Sequence, residues 1–153
     1  MIGELLTAGR ILLDLEETGK ELVLERLGET LLRDGIVTDL QGYLADVASR
    51  EALGTTGVGH GVAIPHAKSS HVAQPGIAMG RTREGVEVGS MDGTKARIFF
   101  LIAVPQGEHG EHLKALSNIA RLLMHDRFRE GLLSASSPEE AHRLIVEMES
   151  QLD

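Results

Sequence analysis

The chain contains no cysteine and no tryptophan. Without thiols there are no disulfides, no thiolate metal sites and no cysteine nucleophile, so covalent chemistry must fall to other side chains. The same absence fits the cytoplasm. Aromatic residues make up only 3% of the chain, which leaves little for stacking on bases or sugar rings. No apolar run approaches the length of about 18 residues that a membrane-spanning helix requires. The N-terminus lacks a basic segment followed by an apolar stretch and cleavage site, so no secretory signal is expected. Basic charge is also in deficit, with 15 Lys and Arg against 23 Asp and Glu and a formal net charge of −8. Phosphate backbones need basic patches, so a nucleic-acid partner is excluded. An acidic protein is suited instead to a basic surface on another protein.

What is present is an ordinary globular composition over 153 residues, 42% hydrophobic and 25% charged. That length supports one domain, residues 1–153, with a real core. There is no internal repeat, low-complexity segment or linker. Arg10 to Leu15 reads as an entering strand or a packed extension. Thr18 and Glu21 form a capping-box pair ahead of Leu22, Val23, Leu27 and Leu31 at helical spacing, with Gly35 as the stop. Thr38 and Gln41 open a second helix to about Leu53, with Leu40, Tyr43, Leu44 and Val47 on one face and Arg50 in its last turn. Ile77 to Thr82 and Val86 with Val88 read as two strands separated by Arg83-Glu84-Gly85, and Met91-Asp92-Gly93 as a turn. Ile98 to Val104 is apolar on both faces and predicts a central strand. A helix follows from Gly110 to about His125, then a short one around Phe128 to Leu133. Ser137-Pro138-Glu139-Glu140 caps a terminal helix. The pattern predicts an α/β fold: one mixed β-sheet flanked by helices on both faces.

One stretch stands apart from this framework. Residues 54 to 68 carry four glycines and two threonines ahead of Val62-Ala63-Ile64, which stops at Pro65-His66. Glycine permits positive φ and close backbone approach, so residues 54–61 read as an exposed loop. Proline fixes its own φ and holds Ile64 extended, which places His66 at a rigid bend where a strand ends. An imidazole has an ordinary pKa of about 6.5 and, when neutral, one nitrogen with a free lone pair. Beside a loop of free N–H groups, such a ring is suited to attack on a phosphoryl group.

Residues Thr56-Gly57-Val58-Gly59-His60-Gly61-Val62-Ala63-Ile64-Pro65-His66-Ala67 resemble the active-site segment of enzyme IIA domains of the fructose/mannitol/nitrogen-regulatory class. These belong to the phosphoenolpyruvate-dependent phosphotransferase system. The resemblance continues at Arg50-Glu51 and Gly110 to Leu116, and covers nearly the whole chain. It implies that His66 accepts a phosphoryl group on Nε2 from the histidine-containing phosphocarrier protein. The group then passes to a cysteine on an enzyme IIB domain that phosphorylates a sugar. The resemblance also implies a cytoplasmic protein, peripheral to a membrane transporter at most, that needs no cofactor or metal. Nitrogen-class members instead use the phosphorylated histidine as a signal to regulated proteins. The isolated domain and the wording of its histidine segment lean slightly that way. A third reading keeps the fold but only binds an anion.

Each candidate has a plainer reading. A lone Pro-His is commonly a turn histidine, and a glycine loop a surface turn. This loop is neither a Walker loop, lacking Gly-Lys-Ser/Thr, nor a dinucleotide fingerprint, since a strand follows it. His112, in the first turn of its helix, is either a solvated residue or a partner that helps hold the phosphoryl group at a helix N-terminus. Arg50 either complements its helix dipole or puts its planar fork on phosphate oxygens. Thr56 and Gly57 are candidate phosphate donors, though the threonines can equally satisfy the turn. His60, His66 and His71 match no common metal-ligand spacing. His109, His125 and His142 carry no assigned role.

Overall fold

The computed structural model describes residues 1–108, 110 and 113–152, with the side chain of Leu113 excepted. Six helices, α1 (Ile2–Leu5), α2 (Lys20–Arg33), α3 (Leu40–Glu51), α4 (Leu113–Leu123), α5 (Asp126–Ser134) and α6 (Pro138–Glu149), accompany six strands among these residues. The strands are β1 (Ile11–Leu15), β2 (Gly57–Gly59), β3 (Val62–Ala63), β4 (His66–Ser69), β5 (Gly76–Val86) and β6 (Ala96–Pro105). They form one mixed sheet in the order β1-β5-β6-β3-β2, with β4 also pairing β6. The expected α/β architecture, one sheet with helices on both faces, is the one observed.

Strand β6 is central because neither of its faces can be left in water. Ile98, Phe100 and Ile102 join a core with Ile77, Met79 and the α4–α6 residues Ile119, Leu122, Phe128, Leu132 and Ile145. Phe99, Leu101 and Ala103 join a second core with Val23, Leu27, Leu31, Tyr43 and Val47 from α2 and α3. Alternate residues of a strand point to opposite faces, so one strand serves both cores. It runs antiparallel to β5 and parallel to β3 and β4.

Local expectations were met unevenly, and the exceptions have physical causes. The Thr18–Glu21 box is absent: α2 begins at Lys20 with Gly19 as its N-cap and no side-chain cap. Burial of Val23, Leu27 and Leu31 sets that helix, since packing of an apolar face outweighs a single cap. Its C-terminus is as anticipated. Gly35 has φ +75, and the N–H groups of Gly35 and Ile36 bond the carbonyls of Leu32 and Leu31 at 3.1 and 3.0 Å. At α3 the cap is Asp39, whose Oδ1 accepts from the Gly42 N–H at 3.1 Å. Thr38 is drawn away instead, its hydroxyl and N–H both donating to the His71 carbonyl, at 3.1 and 2.8 Å. The residues from 76 to 86 form a single strand, with the Arg83-Glu84-Gly85 segment absorbed where the pairing with β6 shifts register. Helix α4 ends at Leu123, and His125 serves as the N-cap of α5. Ser137 caps α6 as expected, accepting from the Glu140 N–H at 3.1 Å.

Helix α3 is pinned to the centre of the sheet by Tyr43, which is fully buried and donates its hydroxyl to the Ile102 carbonyl at 2.8 Å. Burial pushes the phenol well above its ordinary range, so it remains a donor. Tyr43→Phe should destabilise the fold by about 1–3 kcal/mol, the usual cost of leaving a buried group a partner short. Urea unfolding with an unchanged m-value is the measurement; an unchanged midpoint would show the bond to be redundant.

Candidate functional site

His66 opens β4 rather than closing a strand. β3 and β4 both run parallel to β6, with Ala63 opposite Phe99 and His66 opposite Ile102. The two pairs lie three positions apart on both strands, so the register survives the interruption. The break falls at Ile64-Pro65 because proline has no N–H to give a ladder. Its carbonyl still accepts from the Ile102 N–H at 3.0 Å. The expected bend is therefore a gap in one track along the central strand, and His66 is held from both sides of it.

The ring of His66 is partly buried, and its Nδ1 lies 2.9 Å from the Ile64 carbonyl oxygen. A carbonyl can only accept, so Nδ1 carries the proton and the lone pair resides on Nε2. The ring lines a pocket of about 240 Å³ with Ile102, Val104 and Leu116, on the α4 side of the sheet. Lys68 Nζ closes part of the rim by donating to the Glu108 carbonyl at 2.6 Å. An imidazole nitrogen facing a largely apolar pocket gives up little hydration on attack, and charge developing there is weakly screened.

Arg50 comes from the end of α3, the helix packed over the opposite face, where Ser69 donates to Asp46 Oδ2 at 2.5 Å. Its Nη1 donates to the Gly54 carbonyl at 2.9 Å in an exposed contact. The two loop candidates are engaged within the protein. The Thr56 hydroxyl donates to Glu51 Oε1, and its N–H lies 3.3 Å from the same oxygen. The Gly57 N–H donates to Thr55 Oγ1 at 2.9 Å. A Cβ on Gly57 would come within 2.6 Å of Ser90 Oγ and 2.8 Å of Val88 Cγ2. Gly57 is a site of close packing here. His112 and His109 lie outside the described residues.

His60, His66 and His71 point to different surroundings. His60 occupies the β2–β3 turn with φ +57, between Gly59 and Gly61 at φ +88 and +79. His71 lies over the start of α3, its Nδ1 3.7 Å from Asp39 Oδ2. Two acidic residues, Glu51 in the resembling Arg50-Glu51 pair and Asp92 in the Met91-Asp92-Gly93 turn, were given no role from the sequence. Glu51 ties down the loop through Thr56, and its only signal was its place beside Arg50, five residues before a threonine. Asp92 ties down the hairpin, its Oδ2 accepting from the His60 N–H at 2.9 Å and its Oδ1 from the Thr94 N–H at 3.0 Å.

Residues 4–148 match the family model described as "Phosphoenolpyruvate-dependent sugar phosphotransferase system, EIIA 2". The chain belongs to that family. This EIIA 2 chain is 41% identical over 138 residues to the fructose-specific EIIABC component of Bacillus subtilis, of which it spans only 22%. It is 38% identical to the fructose-specific EIIA component of Haloferax volcanii, with 90% of each chain covered. Among solved structures, nitrogen regulatory protein IIA-Ntr of Neisseria meningitidis superposes with a TM-score of 0.87 at 37% identity, covering 94% of this chain and 98% of that one. The enzyme IIAMTL–phosphorylated IIBMTL complex of Escherichia coli matches with a TM-score of 0.78 at 25% identity, covering 92% and 96%. EIIA domains of this family are phosphotransferases in general, and no helix among the described residues is long and apolar enough to cross a membrane.

The hairpin beside the site has a pH signature. Hydrogen bonds from the Thr94 N–H and then the His60 N–H hold the Asp92 carboxyl at about 2, below its ordinary 3.8. A depressed carboxylate contributes stability above its unfolded pKa, so the clamp is whole above 3.8 and is lost as pH falls through about 2. Asp92→Asn should speed amide exchange at His60 and Gly61 at neutral pH and leave Leu101, deep in β6 opposite Ala78, unchanged. Equal exchange in both proteins would show that the turn does not depend on this carboxylate.

Proposed function

We propose that this chain is a phosphoryl carrier of the phosphotransferase system, with His66 Nε2 as the accepting atom. The supporting observation is the Nδ1–Ile64 hydrogen bond, which leaves the ring lone pair on Nε2 in a residue that lines the pocket. Nε2 attacks phosphorus on the phosphohistidine of the carrier protein. A new P–N bond forms as the carrier's P–N bond breaks, and the carrier imidazole leaves with the electron pair. The Nδ1 proton stays directed at the Ile64 carbonyl, which stabilises positive charge developing on the ring. Arg50 exchanges its Gly54 contact for phosphate oxygens, and His112, by the family resemblance, adds a second stabilising contact. The proton inventory of Thr56 and Gly57 favours a supporting role in the loop, with contact to phosphate requiring their internal bonds to open. No metal or cofactor takes part, because in-line positioning and charge stabilisation suffice.

In this reading residues 1–153 act as one IIA domain in the cytoplasm, meeting a membrane transporter only peripherally. The group passes on to an enzyme IIB cysteine and then to a sugar; the likeness to an EIIA bound to a phosphorylated IIB supports that partner. The second reading is a regulatory protein whose His66 phosphorylation selects its partners. The superposition on a nitrogen regulatory protein over nearly the full length of both chains favours it. Incubation with phosphoenolpyruvate, enzyme I and phosphocarrier, followed by candidate IIB domains, separates the two. Onward passage to a IIB and a sugar supports transport, and label that stops on this chain supports regulation.

Acid-labile, base-stable label should appear on the wild-type chain and vanish in His66→Ala; full labelling of that variant would sink the assignment. His112→Ala should still label on His66. Its onward transfer should slow roughly a hundred- to thousandfold, the usual cost of one lost charge-stabilising donor. Wild-type transfer rates in both directions would remove His112 from the mechanism.

A further inference from the structure

The hydrogen bond that fixes the His66 tautomer continues beyond Ile64. The Ile64 N–H donates to the Thr56 carbonyl at 3.0 Å. Thr56 in turn gives its N–H and its hydroxyl to the Glu51 carboxylate. Lys20 Nζ lies 3.4 Å from the other oxygen of Glu51, in the groove between α2 and α3. Four links therefore run from Lys20 through Glu51, Thr56 and Ile64 to the ring of His66. Every one of them is used, and none depends on the pocket itself.

We propose that Glu51 is a positioning residue for the His66 imidazole, holding through Thr56 and Ile64 the carbonyl that keeps the proton on Nδ1. The inference rests on the reading of His66 Nε2 as the accepting atom. Thr56 is 5% exposed, and a buried hydroxyl and N–H are costly to leave without partners, so the loop follows wherever Glu51 places its carboxylate. Hydrogen bonds to an ionised acceptor are about twice as strong as neutral ones, which makes this the firm point of the relay. Its anchor is stiff as well. Helix α3 is tied to β4 through Asp46 and Ser69 and to β6 through Tyr43. Which nitrogen of a histidine carries the proton is set by the bond the other atoms make to it. If the Thr56–Ile64 segment turns, the Ile64 carbonyl leaves Nδ1. The ring can then exchange tautomers, and part of the population carries its lone pair on the wrong nitrogen.

The test reads the tautomer directly, on the whole chain labelled with ¹⁵N at histidine, by long-range ¹H–¹⁵N correlation spectra above the pH at which the ring titrates. In the wild type His66 should show a protonated, pyrrole-like Nδ1 and a pyridine-like Nε2. Glu51→Ala should move both shifts toward averaged values. It should also slow phosphorylation by the phosphocarrier by roughly ten- to a hundredfold, the scale that small misplacements of a reacting group produce. Glu51→Gln keeps an acceptor oxygen in place and should recover most of the wild-type signature. A Glu51→Ala protein with wild-type His66 nitrogen shifts overturns the proposal, whatever its rate. Should Glu51→Ala not fold, Glu51→Met removes both acceptor oxygens at similar volume, and unchanged shifts there overturn it equally. Shifts that move in a chain that never becomes phosphorylated would uphold the relay and sink the carrier function, so the two ideas fail separately.

Discussion

Strand β6 has no side that tolerates water, and the placement of the other elements follows from that. Its odd and even residues enter different cores, so helices must cover both faces of the sheet. Each large apolar side chain so buried contributes about 1.5–3 kcal/mol, against a β-propensity scale spanning about 1 kcal/mol. Packing therefore decides the position of this strand, and the neighbours take what pairing it leaves. β5 occupies one edge of it, while β3 and β4 share the other. The interrupted track that carries His66 is in this sense a consequence of the core and not of the loop chemistry.

The features that were legible in the sequence are those in which a single physical effect dominates. Ile98 to Val104 could be placed as a central strand because only burial on both faces suits it. Gly35 and Ser137 could be placed at helix ends because φ > 0 and an N-cap oxygen have few alternatives. The errors fall where two comparable effects compete. Thr38 and Asp39 are adjacent side chains whose oxygens could accept as a cap, and the His71 carbonyl, 33 residues on, took the Thr38 hydroxyl instead. Pro65 does break a ladder, but a step of three positions on either strand brings the register back, which no local rule reveals.

For the site the division is similar. That His66 is chemically distinguished follows from a proline before it and a glycine loop ahead of that. The protonation of its ring depends on Ile64, two residues back, and is a matter of three-dimensional approach. The loop donors read as open from composition alone. In the folded chain Thr56 and Gly57 are committed to Glu51 and Thr55, because buried donors find the nearest acceptor. The loop is first built to hold itself in shape.

The gap at Ile64-Pro65 also changes where the entropy of positioning is paid. A histidine on a mobile loop must be ordered anew in each encounter, whereas His66 is gripped by the ladder before and after it. The ordering cost is met once, when the sheet condenses, and is shared by all later turnovers. Stability and reactivity thus draw on the same contacts. Loosening the packing around Phe99 or Leu101, well away from the pocket, would then register as a kinetic defect before it registered as unfolding.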